Sequence, residues 1–162
     1  MTGHHLAQMN IARMRAPLED PLMADFRAQL DSVNAVADQW PGFVWRLQTD
    51  DGDATSIRVF DDALILINMS VWESVAALYD YVYRSVHLGP LRARRQWFEP
   101  MQEASVALWW VPAGHLPAPE EGRDRLIHLR KNSPTPHAFH FKSLFDPLGN
   151  PVPPAKQAAG HT

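Results

Sequence analysis

The chain contains no cysteine in its 162 residues. Disulfides, thiolate metal ligands and a cysteine nucleophile are therefore excluded. An excess of charge of one sign is also missing, because 15 Lys and Arg stand against 18 Asp and Glu, for a formal net charge of -3. A nucleic-acid groove needs a basic face that displaces phosphate counterions, so we expect no nucleic-acid partner.

Long apolar runs and short motifs of known chemistry are missing as well. No stretch of about 18 apolar residues occurs, and Gln8, Asn10 and Arg13 interrupt the apolar residues near the N-terminus. We therefore expect no membrane-spanning helix, no membrane partner and a cytoplasmic location. Glycine-rich nucleotide motifs, the Gly-x-Ser-x-Gly elbow and helical pairs of metal-binding histidines are also absent. The sequence predicts no metal site and no Rossmann-type cofactor.

Large apolar side chains are what the sequence has in quantity. Six Trp, seven Phe and three Tyr contribute to a hydrophobic fraction of 46%, which is typical of a soluble globular protein. A chain of this length buries about two thirds of the surface that its unfolded form exposes. We expect residues 1–145 to form one domain and the Pro-rich residues 146–162 to form a poorly ordered tail.

Alternation of apolar and polar residues predicts strands, and apolar spacings of three and four predict helices. The predicted strands cover residues 5–14, 43–48, 63–70 and 104–112, with a short edge strand at 139–141. The predicted helices cover residues 22–40, 71–86 and 119–131, with a short helical piece from residue 90 to residue 98. This order predicts an α+β fold of the ferredoxin-like βαββαβ type, with an antiparallel sheet, helices on one face and an added C-terminal helix.

The two faces of the predicted sheet differ in polarity. We expect both helices to cover the more apolar face, which carries Met9, Ile11, Trp45, Ile65 and Ile67. The second face carries Gln8, Asn10, Val44, Arg46, Leu64, Leu66 and Asn68. This mixture is too apolar for open water, and a second copy of the sheet is its simplest cover, so we predict a homodimer.

The second predicted helix places titratable groups at the edge of its apolar face. Trp72, Tyr79, Tyr83 and His87 wind along this edge, where their rings would meet the rim of a cavity under the helix. His87 is a candidate general base or axial ligand, and a helix-capping histidine is the alternative. Tyr83 is a candidate hydrogen-bond donor to a phenol or carbonyl, and a core ring with a solvated hydroxyl is the alternative.

Trp72 and Tyr79 are candidates for substrate binding, and three residues outside this helix are further candidates. Arg94 has the charge to hold an anionic substrate, or it pairs with a nearby glutamate at helical spacing. Trp97 has a ring that stacks on a flat ligand or packs in the core. His115 follows the fourth strand, where loops often carry function, although loop histidines also form turns.

Five blocks of the sequence are distinctive: Met69-Ser-Val-Trp-Glu-Ser, Tyr83-Arg-Ser-Val-His87, Arg95-Gln-Trp-Phe-Glu99, Leu108-Trp-Trp-Val-Pro-Ala-Gly-His115-Leu-Pro and Pro134-Thr-Pro-His-Ala-Phe139. They resemble an uncharacterised domain-of-unknown-function family that is grouped with the dimeric α/β barrels, the superfamily of the antibiotic biosynthesis monooxygenases. The resemblance implies a dimeric α/β barrel with a pocket between sheet and helices. The wider superfamily includes cofactor-free monooxygenases, polyketide cyclases, isomerases and haem-dependent enzymes.

Three hypotheses about function follow from the residues and the resemblance together. The first is a small enzyme without a cofactor that acts on an aromatic or polyketide-like molecule, monooxygenase-like or cyclase-like, with proton abstraction by His87. The second is a haem-binding protein or haem-dependent enzyme with His87 as axial ligand. The third is a non-enzymatic, dimeric module that binds a small molecule.

Overall fold

The computed structural model of the protein describes residues 3–49, 52–85 and 94–154. The strands of its main sheet are β1 (His4–Met14), β2 (Phe43–Arg46), β3 (Ile65–Trp72), β4 (Phe98–Glu99) and β5 (Val106–Pro112). The helices are α1 (Ala24–Asp38), α2 (Val75–Ser85), α3 (Arg94–Trp97) and α4 (Pro119–Asn132). Within these ranges, no helix is long and apolar enough to cross a membrane.

The sheet has the strand order of a ferredoxin-like unit. Strand β1 lies at the centre and pairs antiparallel with β3 on one side and with β5 and the short β4 on the other. Strand β2 pairs with the outer edge of β3. The outer edge of β5 is covered by Phe139, which exchanges two backbone hydrogen bonds with Leu108 at 2.8 and 2.9 Å. The α+β class, the antiparallel sheet, the βαββαβ order and the C-terminal helix predicted from the sequence are confirmed.

Helices α1 and α2 lie on the opposite face of the sheet from the predicted one. Phe26 of α1 faces a cavity that Asn10 and Asn68 also line, and Leu78 of α2 belongs to the same buried cluster as Trp72. The prediction that both helices cover the more apolar face is therefore wrong. The polar side chains of the helix-covered face border a cavity under α1 and α2. Their polarity therefore does not mark this face as the solvent side of the sheet.

The more apolar face is closed within the same chain. Met9 and Met69 are fully buried on it, and Gly122 lets α4 approach so closely that an added Cβ would lie 2.6 Å from Met9 Cε. Ile57 and Phe60, from the loop between β2 and β3, also pack against the buried side chains of this face. The more polar face, which was predicted to be covered by a second copy, is covered by α1 and α2 instead. The homodimer therefore loses the argument from the sequence and stays a prediction.

The boundary between β3 and α2 lies later than the sequence predicted. Val71 and Trp72 pair with β1 as the last residues of β3. Helix α2 begins after Ser74, whose Oγ accepts a hydrogen bond from the Ala77 N–H at 3.1 Å, as an N-cap residue does. Trp72 is therefore a strand residue, and the predicted aromatic stripe does not lie on one helix.

Strand β2 contains a β-bulge, which places Val44 on the opposite face of the sheet from the predicted one. The register shifts between Phe43 and Trp45, because a bulge places two residues opposite one on the partner strand. Val44 and Trp45 both pack against the core on the α4 side. Arg46 pairs with Ser70 and lines the cavity on the other side.

Part of the segment after residue 145 is folded, although the sequence predicted poor order from residue 146. Strands β6 (Leu144–Phe145) and β7 (Pro151–Val152) form a hairpin. Asp146 Oδ1 accepts hydrogen bonds from the backbone N–H groups of Leu148 and Asn150, both at 2.9 Å, and such bonds lower the pKa of Asp146. Local hydrogen bonds thus order a segment that has little to bury. Residues 155–162 lie outside the described part of the chain.

Gly42, just before β2, is expected to be essential for the packing of β2 near α2. Its φ is +86°, and an added Cβ would overlap the Cβ of Ala77. Gly52 has a similar φ of +90° but open space around it. Gly42→Ala should lower the free energy of unfolding by about 3 kcal/mol and Gly52→Ala by about 1 kcal/mol. Urea unfolding of both variants measures this difference, and equal losses would contradict the packing assignment.

Candidate functional site

The sheet and the first two helices border a cavity of about 350 Å³. This volume falls at the lower end of the range for small-molecule sites, about 300–1,000 Å³. The main apolar walls are Phe26, Leu30, Val33, Leu66 and Val82. The main polar groups are Asn10, Asn34, Arg46, Asp53, Thr55, Asn68, Tyr81 and Arg94. Apolar walls with a few polar groups favour a mostly apolar ligand that carries one or two polar atoms.

Two asparagine side chains form the polar part of the cavity floor. Asn10 and Asn68 lie directly opposite each other on β1 and β3, so their Cβ atoms are separated by about 5 Å. Asn68 Oδ1 accepts a hydrogen bond from Gln8 Nε2 at 2.9 Å. Within the described residues, the Asn68 Nδ2 group and the Asn10 side chain have no hydrogen-bond partner. The floor therefore offers amide groups to a ligand.

The two arginines that line the cavity differ in how their charge is compensated. Arg46 Nε lies 2.6 Å from Asp38 Oδ1, and its Nη1 donates to the Gly52 carbonyl at 2.7 Å. Arg94 has no ion-pair partner in the described ranges. An arginine held by a carboxylate shapes the wall, whereas an uncompensated one attracts an anionic or oxygen-rich group.

Tyr81 is the titratable residue of α2 that reaches the cavity. Its ring stacks on Trp72 with centroids 5.1 Å apart and meets Trp40 edge-on at 5.5 Å. Burial raises the pKa of Tyr81, and the Asp38 charge raises it further, while Arg46 acts in the opposite direction. The phenol is therefore protonated at neutral pH and is available as a hydrogen-bond donor.

The predicted residues of α2 have different positions from those expected. His87, the predicted base, lies outside the described residues. Tyr83 is 56% exposed, and Tyr79 stacks on it at 6.1 Å and meets Phe141 edge-on at 5.4 Å. Neither tyrosine lines the cavity. Tyr81, three residues after the buried Leu78, shares its helix face and lines the cavity instead.

The two predicted tryptophans are core residues, and the predicted arginine reaches the cavity. Trp72 is 1% exposed, and its Nε1 donates to Ser70 Oγ at 2.8 Å. Trp97 is 3% exposed and packs in a cluster with Met14 and Met23. Neither ring lines the cavity itself. Arg94 is the one residue of the predicted substrate-binding set that does.

His115 lies across the sheet from the cavity. Its Nε2 is 2.8 Å from Glu121 Oε1, and Glu121 Oε2 accepts a hydrogen bond from Trp109 Nε1 at 2.8 Å. This cluster joins the end of β5 to the first turn of α4. The expected role of His115 in substrate binding does not fit this position, because α4 and the core under it separate it from the cavity.

A second histidine on the α4 side should make stability depend on pH. Partial desolvation lowers the pKa of His137 below its ordinary value of 6.5, although the residue is exposed, and the nearby Arg125 and His128 lower it further. The folded protein then binds fewer protons at this site than the unfolded chain, so stability is complete above that value and falls as the pH drops below it. Unfolding between about pH 7 and pH 5 should show a smaller loss in His137→Gln than in the original chain, and an identical loss would contradict this assignment.

The described residues give little support to a haem or metal site. In these ranges, no group of three or more His, Asp or Glu side chains is arranged to hold a metal ion. Among the described lining residues, Tyr81 is of a type that ligates haem iron. Its raised pKa opposes the phenolate form that such ligation requires. The residues present therefore do not fit a haem, and that hypothesis depends on His87.

An antiparallel sheet with a ligand-sized cavity under two helices defines the chain as an α+β domain of the ferredoxin-like type. Residues 5–154 match the family model of a domain of unknown function, DUF3291. The chain belongs to this family. The five sequence blocks had indicated membership of a domain-of-unknown-function family. No curated protein matches the sequence.

Several solved structures resemble the fold at low sequence identity. A variant of SnoaB, a cofactor-independent oxygenase from Streptomyces nogalater, is 16% identical, with 70% of this chain and 95% of that chain covered and a TM-score of 0.42. A candidate antibiotic biosynthesis monooxygenase from Chloroflexus aurantiacus is 13% identical, with 70% of this chain and 97% of that chain covered and a TM-score of 0.38. A NIPSNAP family protein from Agrobacterium tumefaciens is 14% identical, with 72% of this chain and 89% of that chain covered and a TM-score of 0.40. Structural similarities at these identities and TM-scores do not indicate an activity for this chain.

Proposed function

We propose that this protein is a small enzyme that acts on an aromatic or polyketide-like molecule held between the sheet and helices α1 and α2. The chemistry is monooxygenase-like or cyclase-like and begins when His87 removes a proton from the substrate. The observation that carries the proposal is the cavity of about 350 Å³ with apolar walls and the Asn10 and Asn68 amides on its floor. This composition suits a flat apolar molecule with oxygen atoms at one edge.

The cavity has groups that would stabilise the anion formed by proton removal. Removal of a phenolic or enolic proton leaves negative charge on a substrate oxygen. Asn68 Nδ2 and the Tyr81 hydroxyl are hydrogen-bond donors among the lining residues, and donors held in apolar surroundings stabilise developing charge more than water does. Arg94 adds a positive charge at the cavity wall. His87 follows α2 in the sequence and is the proton acceptor in this proposal.

Oxidation of anthrone is a suitable test reaction, because its CH2 group is acidic enough to form an enolate. One O2 converts that CH2 to a carbonyl: one oxygen atom enters the new ketone and the other leaves as water with the two hydrogens. The carbon loses four electrons and O2 accepts all four, so the reaction needs no further reductant. Exclusion of water by the apolar walls would protect the reactive anion.

Oxygen uptake by the purified protein with anthrone tests the proposal. We expect uptake faster than in buffer, with one anthraquinone formed for each O2 consumed. Binding of anthrone without uptake, and without conversion to any other product, would contradict the enzyme and favour a binding module. Absence of both binding and uptake would contradict the assignment of the ligand class.

A further inference from the structure

Gln8 is a buried amide under the cavity floor with no place in the proposed proton transfer. It is 4% exposed, although it lies in the middle of β1. Its Nε2 donates to Asn68 Oδ1 at 2.9 Å and to Ser70 Oγ at 2.7 Å. Trp72 Nε1 donates to the same Ser70 Oγ at 2.8 Å. These bonds form a connected polar network on the helix-covered face of the sheet.

In the structure, the network is connected to the oxygen of the Asn68 amide and leaves the nitrogen of that amide without a protein partner among the described residues. A glutamine Nε2 has two hydrogens, and both are used here. The oxygen of Asn68 is therefore occupied, while its Nδ2 group has no partner within the described residues. Asn68 is the exposed residue of β3 and lines the cavity. The group that remains for a ligand is consequently a hydrogen-bond donor.

The strand pairing places the polar side chains of this network next to one another. Gln8 lies opposite Ser70 in the register of β1 and β3, and Asn68 is two residues from Ser70 on the same face. Leaving a buried amide unpaired costs about 1–3 kcal/mol. Rotation of the Asn68 amide alone would place its Nδ2 against the Gln8 Nε2 donor, so the network opposes that rotation as long as Gln8 keeps its nitrogen toward Asn68.

We propose that Gln8 is a positioning residue that holds the Asn68 amide with its N–H groups toward the cavity and so selects ligands with an acceptor oxygen at that point. The chemical class is a quinone, phenolate or enolate rather than a plain hydrocarbon. This inference rests on the proposed function, because it concerns the same cavity. If Gln8 only supported the sheet, its substitution would change the affinities for all ligands of one shape equally.

Two bicyclic probes of similar shape separate these roles. 1,4-Naphthoquinone carries acceptor oxygens and no donors, whereas naphthalene carries neither. Calorimetric titration should show that the original chain binds the quinone more tightly. In Gln8→Glu the introduced carboxylate accepts hydrogen bonds and turns the Asn68 oxygen toward the cavity. The quinone affinity should fall about tenfold while that of naphthalene changes less than about twofold.

Two further variants complete the experiment. Asn68→Asp changes an exposed side chain, leaves Gln8 in place and removes the donor directly. It should lose the quinone preference even if Gln8→Glu does not fold. Gln102→Glu is the matched control, because Gln102 is exposed and is not among the residues that line the cavity, and it should keep the preference.

The outcomes distinguish this inference from the proposed function. Equal losses for both probes in Gln8→Glu, or an unchanged quinone preference in Asn68→Asp, would overturn the role of the network and leave the proposed function standing. Failure of the original chain to bind either probe would contradict the proposed function, and the inference would fall with it.

Discussion

Val33→Trp should reduce the affinity for 1,4-naphthoquinone about a hundredfold or more, equivalent to about 2.7 kcal/mol. Val33 lies on α1, is half-buried and lines the cavity. An indole ring at this position would occupy the space between α1 and the cavity floor. The cavity is already at the lower end of ligand-sized volumes, so ring and ligand would not fit together. Calorimetric titration measures the loss.

The matched control for this substitution lies on the same helix. Ala35 is an exposed residue of α1, so Ala35→Trp adds the same ring outside the cavity. It should bind the quinone as the original chain does. Retained affinity in Val33→Trp, with an unfolding free energy close to that of the original chain, would show that the ligand binds elsewhere.

His87→Ala should lower the rate of anthrone oxidation by about a hundredfold to ten-thousandfold, the contribution typical of a general base. The affinity for anthrone should change less than about threefold, because the proposed contacts to the ligand come from the floor and walls of the cavity. Steady-state rates and calorimetric titration separate the two effects.

His115→Ala is the control histidine for this comparison. Its imidazole contacts Glu121 across the sheet from the cavity, so both rate and affinity should persist. An unchanged rate in His87→Ala would contradict its role as base. Loss of affinity together with the rate would make His87 a ligand-binding residue instead.

The haem hypothesis has a separate spectroscopic test. Haem bound through a histidine gives an intense Soret absorption band. We expect no such band when haem is added to the purified protein, because the described lining residues offer no suitable axial ligand and the proposed function uses His87 as a base. A band that appears in the original chain and disappears in His87→Ala would favour the haem hypothesis over the proposed enzyme.

The element order was predictable because local patterns encode it. Alternating residues in β1 and the proline and acidic residues at the start of α4 are local signals. The β3–α2 boundary was missed because Val71 and Trp72 fit both a strand and an apolar helix face. Ser74 was the available signal, since a serine before an apolar run is a preferred N-cap.

The cover of each sheet face was not predictable from periodicity. Met9 and Met69 are buried by α4, which lies more than a hundred residues after β1 in sequence. Periodicity shows which side chains share a face, but it does not show which distant segment covers that face. The bulge at Val44 is likewise set by pairing between β2 and β3.

The candidate site was predictable only in part. The parity of β1 and β3 placed Asn10 and Asn68 on one face, and Arg94 was expected near the substrate. Tyr81 was missed, although it lies three residues after the buried Leu78 and so shares its helix face. Gln8 gave no local signal, because its role depends on the pairing of β1 with β3.

The central claim is that a flat, oxygen-bearing molecule binds between the sheet and helices α1 and α2. The most direct measurement is a titration of the ¹⁵N-labelled protein with 1,4-naphthoquinone, followed through the side-chain NH2 resonances of the asparagines. The account predicts saturable shifts for Asn10, Asn34 and Asn68 and none for Asn132, which lies on α4. Shifts at Asn132 alone, or no shift at the three cavity amides, would contradict it.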